Sequence, residues 1–239
     1  MSAPLEPVPT DWTRGLAVVA HPDDLEYGAA SAIARWTDEG REFGYLLACR
    51  GEAGIDTLPP AECGPLREAE QRAAAAEVGV SVVEFLDGHA DGLIEYGIPL
   101  RRDIAAAIRR HRPELVVTGN FNETWPGGGR NMADHVVVGR ACLDAVRDAA
   151  NRWLFPEVGE PWSGVRWVAV AGSPLPTHGI AIDDHLDRGI ASLAAHRAYL
   201  AALGGDLSDP GPFLRAQAEA AAALLPGARL ATAFELIEV

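Results

Sequence analysis

Along the chain, short β-branched or apolar runs take turns with longer, Ala-rich stretches whose apolar residues recur at helical spacing. Strands are expected at Leu16–Ala20, Phe43–Ala48, Val82–Leu86, Glu114–Thr118 and Val165–Ala171. Helices are expected between them, over Gly28–Glu39, Leu66–Glu77, Leu100–His111 and His135–Ala149, and a long one follows over Leu186–Leu203. A last Ala-rich helix, Phe213–Leu225, leads into a strand-like Thr232–Val239. Strands that alternate with helices build βαβ units, so the pattern predicts an α/β class with a mostly parallel sheet. With no internal repeat and no linker composition, one domain over 1–239 is expected.

Two segments break the pattern. Arg50–Pro65 is rich in Gly and Pro, and Gly119–Ala133 contains Trp125-Pro126-Gly127-Gly128-Gly129. Both follow expected strands. Loops at the carboxyl ends of parallel strands are where such sheets hold ligands, so these two are candidate walls of a site.

The candidate chemistry begins where the first strand stops, at His21-Pro22-Asp23-Asp24. Pro22 has no N–H to give to a ladder and a fixed φ, so it ends the strand and stiffens the turn. His21 and Asp24, three apart across that turn, can point at one spot with Asp23 beside it. The best third partner is His135, in Met132-Ala133-Asp134-His135 at the end of the second broken segment. Two histidines and a carboxylate with an open position are how catalytic zinc sites are built. The bland alternatives are a polar strand end with Asp24 as a helix cap, and a surface histidine at 135.

On these residues the sequence resembles the LmbE/PIG-L family of zinc-dependent N-deacetylases, which act on N-acetylglucosamine-type sugars. The likeness runs through most of the chain. It takes in Ala20-His21-Pro22-Asp23-Asp24, Arg50-Gly51-Glu52, Arg67 with Glu70, Gly79-Val80, Phe85-Leu86, Asp91-Gly92, Arg112-Pro113, and Asp134-His135 with Gly139. It implies a Rossmann-like three-layer fold, Zn2+ or another divalent metal on His21, Asp24 and His135, and Asp23 as general base. It further implies that Arg67 and Asp91 contact the sugar; their bland readings are a helix ion pair and an Asp-Gly turn.

The sequence departs from the family in two places. Met132 stands where the family usually has a histidine that holds the oxyanion, and a thioether donates no hydrogen bond. Asn131, Arg130 and His178 are the candidate replacements, and Asp134 is read as a helix N-cap. Gly189 occupies the place of a late-helix lysine ahead of His196.

Composition then narrows the function. There is no lysine among the 20 basic residues, so Schiff-base, pyridoxal and P-loop chemistry are excluded. The net charge of −14, spread along the chain, argues against nucleic acid as a partner. Three scattered cysteines fit neither disulfides nor a thiolate metal site, no apolar run approaches membrane length, and the first residues lack a leader's pattern; a cytoplasmic location is expected. The expected function is hydrolysis of an N-acetyl or N-acyl group on a small amino-sugar or glycoside, with a homo-oligomer left open. The competing readings are an amidase for a thiol conjugate or natural-product intermediate, and a catalytically silent ligand binder.

Overall fold

In the computed structural model, which describes residues 3–205 and 208–239, the strands form one eight-stranded sheet. In chain order they are β1 (Glu6–Pro7), β2 (Arg14–Val19), β3 (Glu42–Leu47), β4 (Val82–Phe85), β5 (Leu115–Gly119), β6 (Trp167–Ala171), β7 (His178–Ala181) and β8 (Ala231–Glu238). Across the sheet they run β1-β7-β8-β6-β5-β2-β3-β4. Only β8 is antiparallel to its neighbours among these strands.

The helices are α1 (Asp24–Gly28), α2 (Ala30–Asp38), α3 (Pro60–Glu77), α4 (Ile98–His111), α5 (Ala133–Ala150), α6 (Leu186–Ala194), α7 (Arg197–Leu203) and α8 (Pro210–Ala222). Period-2 alternation in the central strands sorts them into layers. From β2, Ala17 and Val19 join a core with Leu25, Ile33, Trp36 and Leu193, while Leu16 and Val18 face Ile104, Ile108, Ala141 and Ala145 of α4 and α5. This is the Rossmann-like three-layer, mostly parallel arrangement expected.

The differences from the expected elements have local causes. A short helix, α1, precedes the expected first one, separated from α2 at Ala29, whose φ of −138° leaves the helical region, and the long late helix breaks at His196, with ψ of 56°. Strands β1 and β7 are short, and β1 contains a proline, so neither made a detectable run. No helix among the described residues is long and apolar enough to cross a membrane.

Chain order reverses at β2: the chain adds β3 and β4 on one side, then crosses to add β5 and β6 on the other. That crossing leaves a crevice beyond the carboxyl ends of β2 and β5. The opposite end of the same two strands is tied by Glu114. Its Oε2 accepts from the Thr13 and Arg14 amides at 2.9 and 2.8 Å, and Oε1 accepts from the Arg14 guanidinium at 2.7 Å.

Burial pushes the Glu114 carboxyl up, but these donors outweigh it and hold it below its usual 4.5. Its stabilisation is therefore present above that value and lost as pH falls through the depressed folded-state pKa. Glu114→Ala is expected to lower the unfolding free energy by about 2 kcal/mol at neutral pH. Urea denaturation at neutral pH and at about pH 3 measures this, and a deficit that does not shrink in acid would refute it.

Candidate metal centre

β2 delivers the chain to the crevice, and Asp24 closes its end. Asp24 Oδ2 accepts the amides of Ala20 and His21 at 3.0 and 2.9 Å, which turns Oδ1 toward the open side. There Oδ1 lies 3.0 Å from His135 Nε2 and 3.7 Å from His21 Nδ1, and the two ring nitrogens are 3.2 Å apart. Around a tetrahedral ion with bonds of about 2.0–2.2 Å, ligand atoms stand roughly 3.3 Å apart. These three separations suit one divalent ion.

His135 reaches this point because α5 packs tightly on the loop after β5. A Cβ on Gly139 would stand 2.7 Å from that of Phe121, so the helix can approach only with glycine there. The ring is then aimed by Asn131, whose Oδ1 lies 3.0 Å from His135 Nδ1. If Nδ1 donates to that oxygen, Nε2 is left as a lone pair facing Asp24 and His21. Asn131 in turn gives its amide hydrogens to the carbonyls of Asn120 and Asn122, at 2.6 and 2.9 Å.

His21 is held from its other nitrogen. Nε2 lies 3.1 Å from Asp91 Oδ1 and 3.2 Å from Asp134 Oδ2. Asp134 also accepts the amides of Gly92 and Ile94, so it is not the N-cap expected; the cap position falls on Met132, with no side-chain hydrogen bond. A carboxylate behind a metal-facing imidazole fixes its tautomer and raises its basicity. Burial disfavours the His21 cation, yet the hydrogen bonds to Asp134 and Asp24 outweigh it and lift its pKa well above the usual 6.5. Burial likewise opposes the Asp24 carboxylate, and the charge of His135 and hydrogen bonds from both histidines hold it well below the ordinary range. Such a donor set attracts positive charge, a proton on each ring or a dication between them.

Asp23 lies beside this group in a left-handed conformation, φ 91°, that L-residues rarely adopt. Its Oδ1 accepts from the Arg67 guanidinium at 2.6 Å. Burial raises its pKa to about 6, with Arg67 pulling down and Asp24 pushing up.

Four of the expected substrate contacts are differently placed. Arg67 is only 2% exposed, donates to Pro22, Gly51 and Asp23, and is covered by the Tyr199 ring at 4.0 Å, so its fork is spent inside the protein. Asp91 faces His21 and accepts the Ala53 amide at 2.8 Å rather than an open cleft. Asn131 is 6% exposed and engaged as described. His178 opens β7, four strand steps from β2 and thus about 19 Å away, beside Thr177 and Glu6. Asn131 thus gives its amide hydrogens to two carbonyls, and His178 stands with Thr177 and Glu6.

A second cluster, His21 with Cys49 and Asp91, shares the same imidazole. Burial pushes the Cys49 thiol up to about 12, and its Sγ lies 3.3 Å from the Ala20 carbonyl, to which it donates. Gly189 has no room for a side chain: a Cβ there would lie 2.0 Å from Ser31 Oγ and 3.1 Å from the Ser31 backbone nitrogen, because α6 packs directly on α2.

Fold and donor set together define a Rossmann-like α/β protein with a two-histidine, one-carboxylate group able to hold a metal. Residues 16–146 match the family described as PIG-L: GlcNAc-PI de-N-acetylase, and the chain belongs to that family. A 1D-myo-inositol 2-acetamido-2-deoxy-alpha-D-glucopyranoside deacetylase of Streptomyces avermitilis is 30% identical over 70% of this chain, and one of Rhodococcus erythropolis is 30% identical over 76%. The chain spans 65% of the length of each. The fold is shared with the N,N'-diacetylchitobiose deacetylase of Pyrococcus horikoshii, at TM-score 0.84 and 21% identity over 95% of this chain and 84% of that one.

Asp134→Asn is expected to leave the fold in place and weaken divalent-metal affinity about 10- to 100-fold, since the acceptor behind His21 is impaired. Competition against a chromophoric chelator reads this, and unchanged affinity would rule out the orienting role.

Proposed function

We propose that the chain, as one domain over 1–239, is a Zn2+-dependent N-deacetylase acting on a small amino-sugar or glycoside. The observation that carries the reading is the convergence of Asp24 Oδ1, His21 Nδ1 and His135 Nε2 within 3.7 Å, with the Asp23 carboxylate held beside them. The family and the named activity of the inositol-linked relatives support an acetamido sugar as substrate. The catalytic residue in this reading is Asp23, and the metal ligands are His21, Asp24 and His135.

Such an ion, when bound, supplies Lewis-acid polarisation of an amide carbonyl and a lowered pKa for water. Held by Arg67 at Oδ1, Asp23 in this reading takes a proton from water and then returns it to the nitrogen of the departing amine. A carboxyl near pKa 6 does both more readily than one at the ordinary 3.8. Arg67 keeps that carboxylate in one rotamer, and Asp91, Asp134 and Asn131 keep the two imidazoles facing inward. Trp125, edge-on to His135 at 5.6 Å, forms one wall of the crevice.

Asp23→Asn is expected to keep the metal and lose about 100- to 10,000-fold in kcat, whereas His135→Ala loses metal and turnover together. Metal content and release of primary amine from an N-acetylglucosaminide measure both. A fully active Asp23→Asn protein removes the general-base assignment, and a zinc-loaded wild type that frees no amine from any acyl substrate removes the enzyme reading.

Met132 is 51% exposed, so Met132→His disturbs no core packing. It is expected to preserve or raise kcat by restoring a donor at the oxyanion position. A large fall in kcat at unchanged metal content would show that the crevice is built around the thioether.

A further inference from the structure

Asp23 is attached to a second group of buried polar side chains that no step above uses. Gln71 of α3 and Glu26 of α1 are 0% and 1% exposed, and with them lie Ser192 and His196, both fully buried. Gln71 Oε1 accepts the backbone N–H of Asp23 at 3.0 Å, and Gln71 Nε2 donates to Glu26 Oε1 at 2.8 Å. Ser192 lies 3.4 Å from that same oxygen, and His196 Nε2 lies 3.6 Å from Glu26 Oε2.

The order of these contacts leaves the Gln71 amide one orientation. A backbone N–H can only donate and a carboxylate only accepts, so Gln71 must turn its oxygen to Asp23 and its NH2 to Glu26. Burying a carboxylate such as Glu26 costs several kcal/mol unless hydrogen bonds offset it; Gln71 supplies one at 2.8 Å, while the single hydroxyl hydrogen of Ser192 goes to the Ala74 carbonyl at 2.8 Å. The peptide held in this way is the one whose residue sits at φ 91°, a conformation that costs about 1–3 kcal/mol and persists only where its surroundings over-determine it. Arg67 holds the side chain of Asp23 and Gln71 its backbone, from two positions one turn apart on α3.

We propose that Gln71, oriented by Glu26, is a positioning residue for the reaction: it holds the Asp23 backbone in its left-handed conformation and so aims the carboxylate. The inference rests on Asp23 being the general base. Gln71→Met keeps the volume and removes the acceptor. It is expected to lower kcat about 10- to 100-fold on an N-acetylglucosaminide, with KM within about twofold and zinc content unchanged. Amide hydrogen exchange gives a readout apart from turnover: the Asp23 N–H, protected in the wild type, should exchange fast in the variant.

A double-mutant cycle separates positioning from general damage, because Gln71→Met should cost nothing further in an Asp23→Asn background. Glu26→Gln keeps an acceptor for Gln71 and should stay near wild type, while Glu26→Leu should reproduce the Gln71→Met defect; this pair tests the same contact even if Gln71→Met folds poorly. Wild-type kcat in Gln71→Met, or a loss that persists in full in the Asp23→Asn background, overturns the proposal and leaves the general base standing. Full activity in Asp23→Asn alone overturns the general base and this inference with it.

Discussion

The site depends on one carboxylate engaged at both oxygens. Asp24 Oδ2 accepts the last two amides of the β2 end, and that engagement leaves Oδ1 facing two imidazoles. Without those amide bonds the side chain would be free to rotate, and the donor set would lose its fixed vertex. The same bonds satisfy N–H groups that the ended sheet leaves without a ladder partner, so strand termination and ligand placement are a single event. Pro22 makes this necessary by stopping the strand, and the reversal of chain order at β2 makes it useful by opening the crevice there.

Around that vertex the chain concentrates negative charge. Asp23, Asp24, Asp91 and Asp134 all lie near His21, and the Arg67 guanidinium is bonded to the first of them. Four carboxylates this close are tolerable only if each has a donor or a cation, and most have backbone amides: Ala20 and His21 for Asp24, Ala53 for Asp91, Gly92 and Ile94 for Asp134. Asp23 has Arg67 on its side chain, and its own carbonyl starts α1 by accepting the amides of Glu26 and Tyr27. The structure thus anchors three carboxylates by amides and one by a guanidinium, and the one anchored by the guanidinium carries the raised pKa.

What the sequence could show follows from how far its signals travel along the chain. His21, Asp23 and Asp24 are legible because their geometry is set within one turn, and the central strands because each is an unbroken apolar run. His135 needed a pattern from elsewhere in the chain, and Gly139 behind it has a reason visible only once Phe121 is packed against it. Asn131, Asp134, Gln71 and Glu26 were misread or missed since their partners are set by tertiary packing: Asp134 meets His21 across 113 positions and Gln71 meets Asp23 across 48. Arg67 and Asp91 look like free polar groups in a one-dimensional reading, and the fold turns both inward. The break of the late helix at His196 is invisible for a related reason, as it lies within a run of good helix formers.

Fold alone does not carry the chemistry. A sheet that reverses order at its first long strand provides a crevice, and the residues at its mouth decide what happens there. In this chain the support beneath the mouth is dense: Asn131 behind His135, two carboxylates behind His21, Arg67 and Gln71 behind Asp23. Dense support holds side chains within the narrow tolerance that a working site needs. Around that mouth Met132 and Leu93, 51% and 76% exposed, flank the Asp134 anchor and put apolar surface beside the buried polar group.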